Sequence, residues 1–187
     1  MPPKIKVSKE QVLNTAFDMT REAGFNALTA RKLAERLNSS TQPIFRVYES
    51  MDTLREDLFY KCVEFFGEKL EASVTAFEPA YYSMSLKYVE LALSEYNLFD
   101  LIASVDRFEN NEWGAYLKKG ETEGITDSFP DSSKLTAEQK TELLNMLWIF
   151  THGLAVMMAG KRIIVDEDGA GLMIKRAYDG FFKAVAG

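Results

Sequence analysis

Apolar residues recur every three or four positions along almost the whole chain, and that period predicts α-helix nearly throughout. Val12, Ala16, Met19 and Ala23 form one stripe, with Leu13 and Phe17 beside it, and Gly24 is placed to close that helix. Thr29 is the expected N-cap of a second helix that buries Leu33, Ala34 and Leu37. Ser50 should cap a long stripe running through Leu54, Leu58, Cys62, Phe65, Phe66, Leu70, Val74 and Phe77, with Pro79 ending it. Helices are expected at about 82–94, 96–106 and 109–120, then a loop at 124–135, "GITDSFPDSSKL". Thr136 with Gln139 three residues on reads as a capping box opening a long helix to about Ala159. A last helix runs from about Asp168 to Ala186. No alternating β pattern, internal repeat or low-complexity tract interrupts this, so the fold class is all-α, with about nine helices.

One stretch breaks the rhythm. In "SSTQPIFRVY", Ser39 to Tyr48, a short helix starts close to a proline. Helices at 29–37 and about 40–47, joined only by "NSS", leave room for nothing but a sharp helix-turn-helix over 29–48. With Ser40 as N-cap, Pro43 falls in the first turn, where its missing N–H costs little, and Ser40 should then bond the Gln42 amide. A polar front of Ser39, Ser40, Thr41 and Gln42, backed by Ile44, Phe45 and Tyr48, describes a helix that presents its tip to a groove.

Charge sharpens that picture. The 187 residues carry a net charge of −6, yet residues 1–49 hold eight basic against five acidic side chains, net +3, which leaves −9 for the rest. A basic head precedes an acidic body. Chance surface variation predicts the same small asymmetry. One cysteine and one histidine cannot build a zinc cluster or a Ser-His or Cys-His nucleophile pair, and no glycine-rich phosphate loop occurs. These absences argue against an enzyme and against a metal or cofactor. No run of 18 apolar residues predicts a membrane span, "MPPKIKVSKEQ" has no apolar signal core, and the lone Cys62 fits a reducing cytoplasm.

The segment "VLNTAFDMTREAGFNALTARKLAERLNSSTQPIFRVYESMDTLREDLF" resembles the DNA-binding domain of the TetR family of transcriptional regulators. Gly24, Thr29, Ala34, Ser40, Phe45 and Tyr48 occupy the places the family pattern marks. The resemblance covers roughly residues 6–66 and implies a three-helix DNA-binding head there, with a ligand-binding and dimerisation body at 67–187. Three positions depart from it: Asn38 stands at a turn usually held by glycine, Phe45 replaces a phosphate-contacting tyrosine, and Met51 replaces a phosphate-contacting lysine.

Carried onto these residues, the resemblance puts Thr29 and Arg31 beside the DNA backbone, with Lys32 nearby. Ser39 and Ser40 lie at the exposed tip, Thr41, Gln42 and Pro43 face the major groove, and Phe45 sits beside them. Arg46 and Tyr48 would hold phosphates, and Lys4 and Lys6 form a basic arm. For Tyr48 a buried core role is an equal alternative, and for Arg46 and Lys32 ordinary surface charge. The partners implied are double-stranded operator DNA, a small-molecule effector and a second copy of the chain, joined through the last two long helices. Phe65, Phe66, Tyr88, Phe99, Trp113, Tyr116, Trp148 and His152 are the candidate effector-pocket residues, with core packing the alternative for each. The function implied is a ligand-responsive repressor. The alternative is a helical ligand-binding or protein-interaction module with weakened DNA binding, for which Phe45 and Met51 are the hints.

Overall fold

The computed structural model describes residues 7–75, 78–103 and 121–187. Among them the chain is helical with no strand: α1 Lys9–Ala23, α2 Ala30–Arg36, α3 Ile44–Val47, α4 Met51–Glu71, α5 Ala80–Ser94, α6 Tyr96–Ala103, α7 Glu121–Asp127, α8 Ala137–Ala159 and α9 Glu167–Ala186. The expected helix at 109–120 and the candidate residues Lys4, Lys6, Phe77, Trp113 and Tyr116 lie outside the described residues.

Two compact units form. The first takes the residues up to Phe65 together with Glu95 onward through α6, and the second takes Phe66–Ser94 and the chain from α7 to the end. The sequence reading ran the second domain unbroken from residue 67; in the structure α6 packs instead with α1. Arg21 and Glu95 form a two-pronged ion pair, and the Asn97 side-chain amide donates to the Arg21 carbonyl at 2.9 Å. These bonds tie the start of α6 to the end of α1.

Capping chemistry sets most helix starts. Ser8 and Gln11 form a reciprocal capping box at α1, Thr29 accepts from the Lys32 amide at α2, and Thr136 with Gln139 forms the expected box at α8. At α4 the Ser50 hydroxyl accepts from the Thr53 amide at 3.2 Å. Gly24 ends α1 at φ +80, a conformation that penalises any side chain. In the first unit Val12, Ala16, Leu28, Leu33, Ile44, Leu54, Leu58 and Cys62 are essentially sealed from solvent, and Phe65 packs edge-on against Phe17 at 5.5 Å. Ala23 and Leu37 do not join that core: Ala23 is exposed and Leu37 half-buried.

Two expected boundaries outside the helix-turn-helix fail, and within it α3 begins at Ile44 rather than near residue 40. The α4 helix stops at Glu71 rather than running on towards Pro79, because the Ser73 hydroxyl turns back to the Leu70 carbonyl at 2.6 Å and closes the end. Residues 124–127, expected in a loop, belong to α7, while 132–134 form a single 3₁₀ turn. Gly124 and the β-branched Ile125 and Thr126 are poor helix formers, so tertiary contacts hold this helix. Lys140 pairs with Asp127 at 2.7 Å, and Ser128 Oγ accepts from the Ala80 amide while donating to the Ile125 carbonyl.

In the second unit α8 packs on both α5 and α9. Tyr81 stacks on Tyr178 with ring centres 4.4 Å apart, and Tyr178 donates to the Pro130 carbonyl. By length and mean hydropathy, 1.3 over its best window, α8 is apolar enough to cross a membrane, though the sequence contains no unbroken run of apolar residues there. Only 33% of that window is buried within the chain. Ile149 and Met157 lie on its outward side with Gly153 between them, and Leu172, Met173 and Gly180 are exposed on α9.

Candidate nucleic-acid interface and ligand cavity

The helix-turn-helix is built from its turn outward. Asn38 adopts φ 49, which asparagine tolerates where glycine is usual, so the expected substitution for glycine works. The Ser39 amide reaches back to the Ala34 carbonyl at 2.9 Å, ending α2 in a left-handed cap. The next turn is closed by backbone: the Phe45 amide bonds the Thr41 carbonyl at 3.2 Å and the Arg46 amide bonds the Gln42 carbonyl at 3.1 Å. The expected Ser40 cap is not made. Residue Pro43 opens α3, no side chain caps it, and the backbone bonds from Thr41 and Gln42 take over that task.

What this leaves at the surface is polar and basic. Ser40, Thr41, Gln42 and Arg46 are exposed, with Ser39 and Pro43 partly so. Thr29, Arg31 and Lys32 are exposed at the front of α2, where Arg31 bonds Glu35 one turn on at 3.0 Å. Among the described residues Arg46 and Lys32 form no ion pair with a carboxylate. Phe45 is 46% exposed, so it belongs to the outward face and not, as expected from the sequence, to the backing. Behind the tip Ile44 is fully buried and Tyr48 nearly so.

Tyr48 settles between its two readings as a core residue. It is 3% exposed, its hydroxyl donates to Asp57 Oδ2 at 3.0 Å, and Lys9 sits 4.9 Å over its ring. Burial and the neighbouring carboxylate both hold its phenol protonated. Lys9 Nζ also pairs with Asp57 at 2.7 Å, which, with the Tyr48 bond, holds that carboxyl below the usual carboxylate range. A sealed tyrosine with a committed hydroxyl does not reach a phosphate. Sequence reading gave Asp57 and Lys9 no role, and only the fold brings them together. Cys62, fully buried, has its thiol pushed up to about 12 by desolvation, which makes it unreactive packing.

The second unit contains a cavity of about 410 Å³. Leu70, Glu71 and Val74 at and beyond the end of α4 form one wall. Tyr81, Met84 and Ser85 of α5 form another, with Ile125 of α7 and Leu144, Leu147 and Trp148 of α8 completing it. Of the six candidate pocket residues that the structure describes, Trp148 alone lines it. Phe65 and Phe99 pack within the first unit instead. Phe66, Tyr88 and His152 form an aromatic cluster with Trp148. The ring centres of Tyr88 and Trp148 are 4.9 Å apart, and Tyr88 Oη lies 3.0 Å from His152 Nδ1. Burial lowers the His152 pKa below its ordinary value, so the ring stays neutral at pH 7. Part of the α8 wall was readable in principle from Leu147 and Trp148, which follow Leu144 at three and four residues.

The fold has known counterparts. The chain is similar to a TetR-family transcriptional regulator from Vibrio parahaemolyticus (TM-score 0.67, 21% identity, 91% of this chain and 96% of that one). It is also similar to a variant of TetR from Acinetobacter baumannii AYE in complex with minocycline (TM-score 0.60, 18% identity, 96% of each chain). A TetR transcriptional regulator from Rhodococcus sp. RHA1 aligns with a TM-score of 0.57 at 16% identity, over 92% of this chain and 93% of that one. No protein-family profile matches the sequence, and no curated protein does. The chain therefore has the TetR-regulator fold over nearly its full length.

Proposed function

We propose that this protein is a TetR-family transcriptional regulator, a homodimer that binds operator DNA and is released from it by a small-molecule effector. The observation that carries the reading is the exposed Thr41–Gln42–Arg46 tip held on a buried Ile44–Tyr48 base, in a chain with the TetR fold. A glutamine on such a tip can make a bidentate contact with adenine, and an unpaired arginine beside it suits a phosphate. Residues 6–66, with α6 packed on α1, serve as the DNA-binding head, and the second unit serves as the regulatory body.

A second copy of the chain is the natural cover for the outward faces of α8 and α9. Ile149 is 71% exposed, and Gly153 and Gly180 have nothing within reach of an added Cβ, so a partner helix can approach closely there. The effector belongs in the cavity beside Trp148, whose volume suits a drug-sized apolar molecule. The minocycline complex of a TetR with the same fold supports ligand binding by such a body. Effector and DNA then compete through one coupling free energy, and whatever factor the effector takes from DNA affinity, DNA takes from effector affinity.

Footprinting on DNA upstream of the protein's own gene tests the reading. The expected result is a pseudo-palindrome with half-sites about one helical turn, roughly 34 Å, or a multiple of it apart. Protection of a single asymmetric half-site by a monomer would overturn it, and turnover of a substrate without DNA affinity would point to an enzyme.

A further inference from the structure

We infer that the effector is an organic cation: an apolar body with one positively charged head, the head held at the cavity mouth by Glu71. This rests on the ligand-responsive reading above and adds the chemical class to it.

Three observations converge. Among the described residues the cavity lining carries one ionisable acid, Glu71, and no basic side chain; Tyr81 is its only other titratable group, and burial keeps that phenol neutral, its pKa pushed up to about 12. Glu71 is exposed, so its carboxylate stays hydrated until a ligand arrives, and pairing it with a cation costs little desolvation. It is also the last residue of the 21-residue α4, so the negative end of that helix dipole lies at the same mouth and adds to its field.

The inner wall fits the rest of such a molecule. Leu70, Met84, Ile125, Leu144 and Leu147 offer apolar surface, and methionine adapts to irregular shapes. Trp148 adds a flat aromatic face to that apolar wall. The Ser85 hydroxyl accepts from Thr151 at 3.2 Å, and among the described residues its own proton meets no acceptor, so it can serve a single polar atom of the ligand. An anionic head would meet a carboxylate and a helix C-terminus, with no cation among the described lining residues to offset them.

A matched set of ligands isolates the head group: decyltrimethylammonium, decan-1-ol and decanoate, each titrated calorimetrically below its aggregation concentration into the full-length protein. The expected order is cation, then alcohol, then carboxylate, with the cation about tenfold tighter than the carboxylate. Glu71→Gln should level most of that difference and Glu71→Lys should invert it. Both changes sit on an exposed side chain and leave the core untouched. Equal affinities for the three heads, or a preference that survives Glu71→Gln, overturns the cation assignment while the cavity remains a ligand site. Binding of none of the three overturns the cavity as a ligand site and the assignment with it.

Discussion

The Tyr48 hydroxyl donates to Asp57 at 3.0 Å, so the aromatic residue at the back of α3 is bolted to the first half of α4, with Lys9 of α1 closing the bond from the other side. Three helices of the head thus meet at one carboxylate. The exposed tip needs such a brace because α3 is only four residues long and carries no side-chain cap of its own. A helix that short has little stability apart from its packing.

Tyr48→Phe should therefore act on stability and not on DNA contact. Removing the hydroxyl leaves Asp57 with Lys9 and costs about 0.5–1.5 kcal/mol, the net worth of such a hydrogen bond. The expected outcome is a lower urea midpoint, with operator affinity at low temperature changed by less than about twofold. A tenfold loss of affinity at unchanged stability would return Tyr48 to the phosphate backbone.

On the proposed reading, base discrimination and backbone anchoring fall on different residues of the tip. Gln42→Ala should lower discrimination at one or two base pairs by about 1–3 kcal/mol while binding to random DNA stays near its wild-type value. Arg46→Ala should weaken operator and random DNA alike and flatten the salt dependence by about one charge per subunit. Competition binding at several salt concentrations distinguishes the two. Equal loss on both DNAs for Gln42→Ala would remove it from the base-reading set.

Most of the head was legible in the sequence because local chemistry fixes it. Gly24, Thr29, Ser50, and Thr136 in the body, each act within three or four residues of themselves, and Asn38 needs only its own backbone freedom. The cavity was less legible because aromatic content marks burial without saying which burial. Phe65 and Phe99 obey the same helical period as Trp148, yet Phe99 is buried in the first unit and Phe65 packs on Phe17 there. Residues such as Glu71 and Ser85 enter the lining only through the meeting of α4, α5, α7 and α8, which no single stretch encodes. The α7 helix was missed for the same reason, its weak propensity being overruled by Lys140 and Ser128.

Met51 offers a test by gain. It opens α4 half-buried, at the place where the family resemblance sets a lysine for phosphate. Met51→Lys should tighten DNA binding and steepen the salt slope by about 0.9 per subunit, one phosphate's worth. A lysine at a helix start opposes the dipole slightly, so a stability loss of about 0.3–1 kcal/mol is expected alongside. An unchanged slope would show that this side chain points away from the DNA.

Ile149→Glu addresses the assembly. In the single chain this side chain is 71% exposed, so a glutamate there is harmless to a monomer and costly in an apolar dimer interface. Sedimentation should show the variant as a folded monomer with operator affinity reduced by well over about tenfold, since one head reads only one half-site. A variant that remains dimeric at micromolar concentration would place the interface elsewhere.

The last prediction concerns pH, and its sign follows from His152. Burial lowers the folded-state pKa of this ring, and its Nδ1 lies 3.0 Å from Tyr88 Oη. Burial also raises the Tyr88 pKa, so the phenol keeps its proton and can donate it to a neutral imidazole. In the unfolded chain the histidine takes up a proton near pH 6.5; in the folded protein it does so only at lower pH. Between those two values the unfolded state binds more protons, so stability rises with pH across that window. The contribution is complete above about pH 6.5 and is lost as the pH falls through the folded-state pKa. His152→Gln should remove this dependence and leave only the carboxylate titrations at lower pH. Urea unfolding of both proteins at about pH 7.5 and 5.5, on either side of the unfolded-state value, compares them directly. A wild type that gains stability on acidification, or a variant that loses as much as the wild type, would show that the buried imidazole does not govern the response.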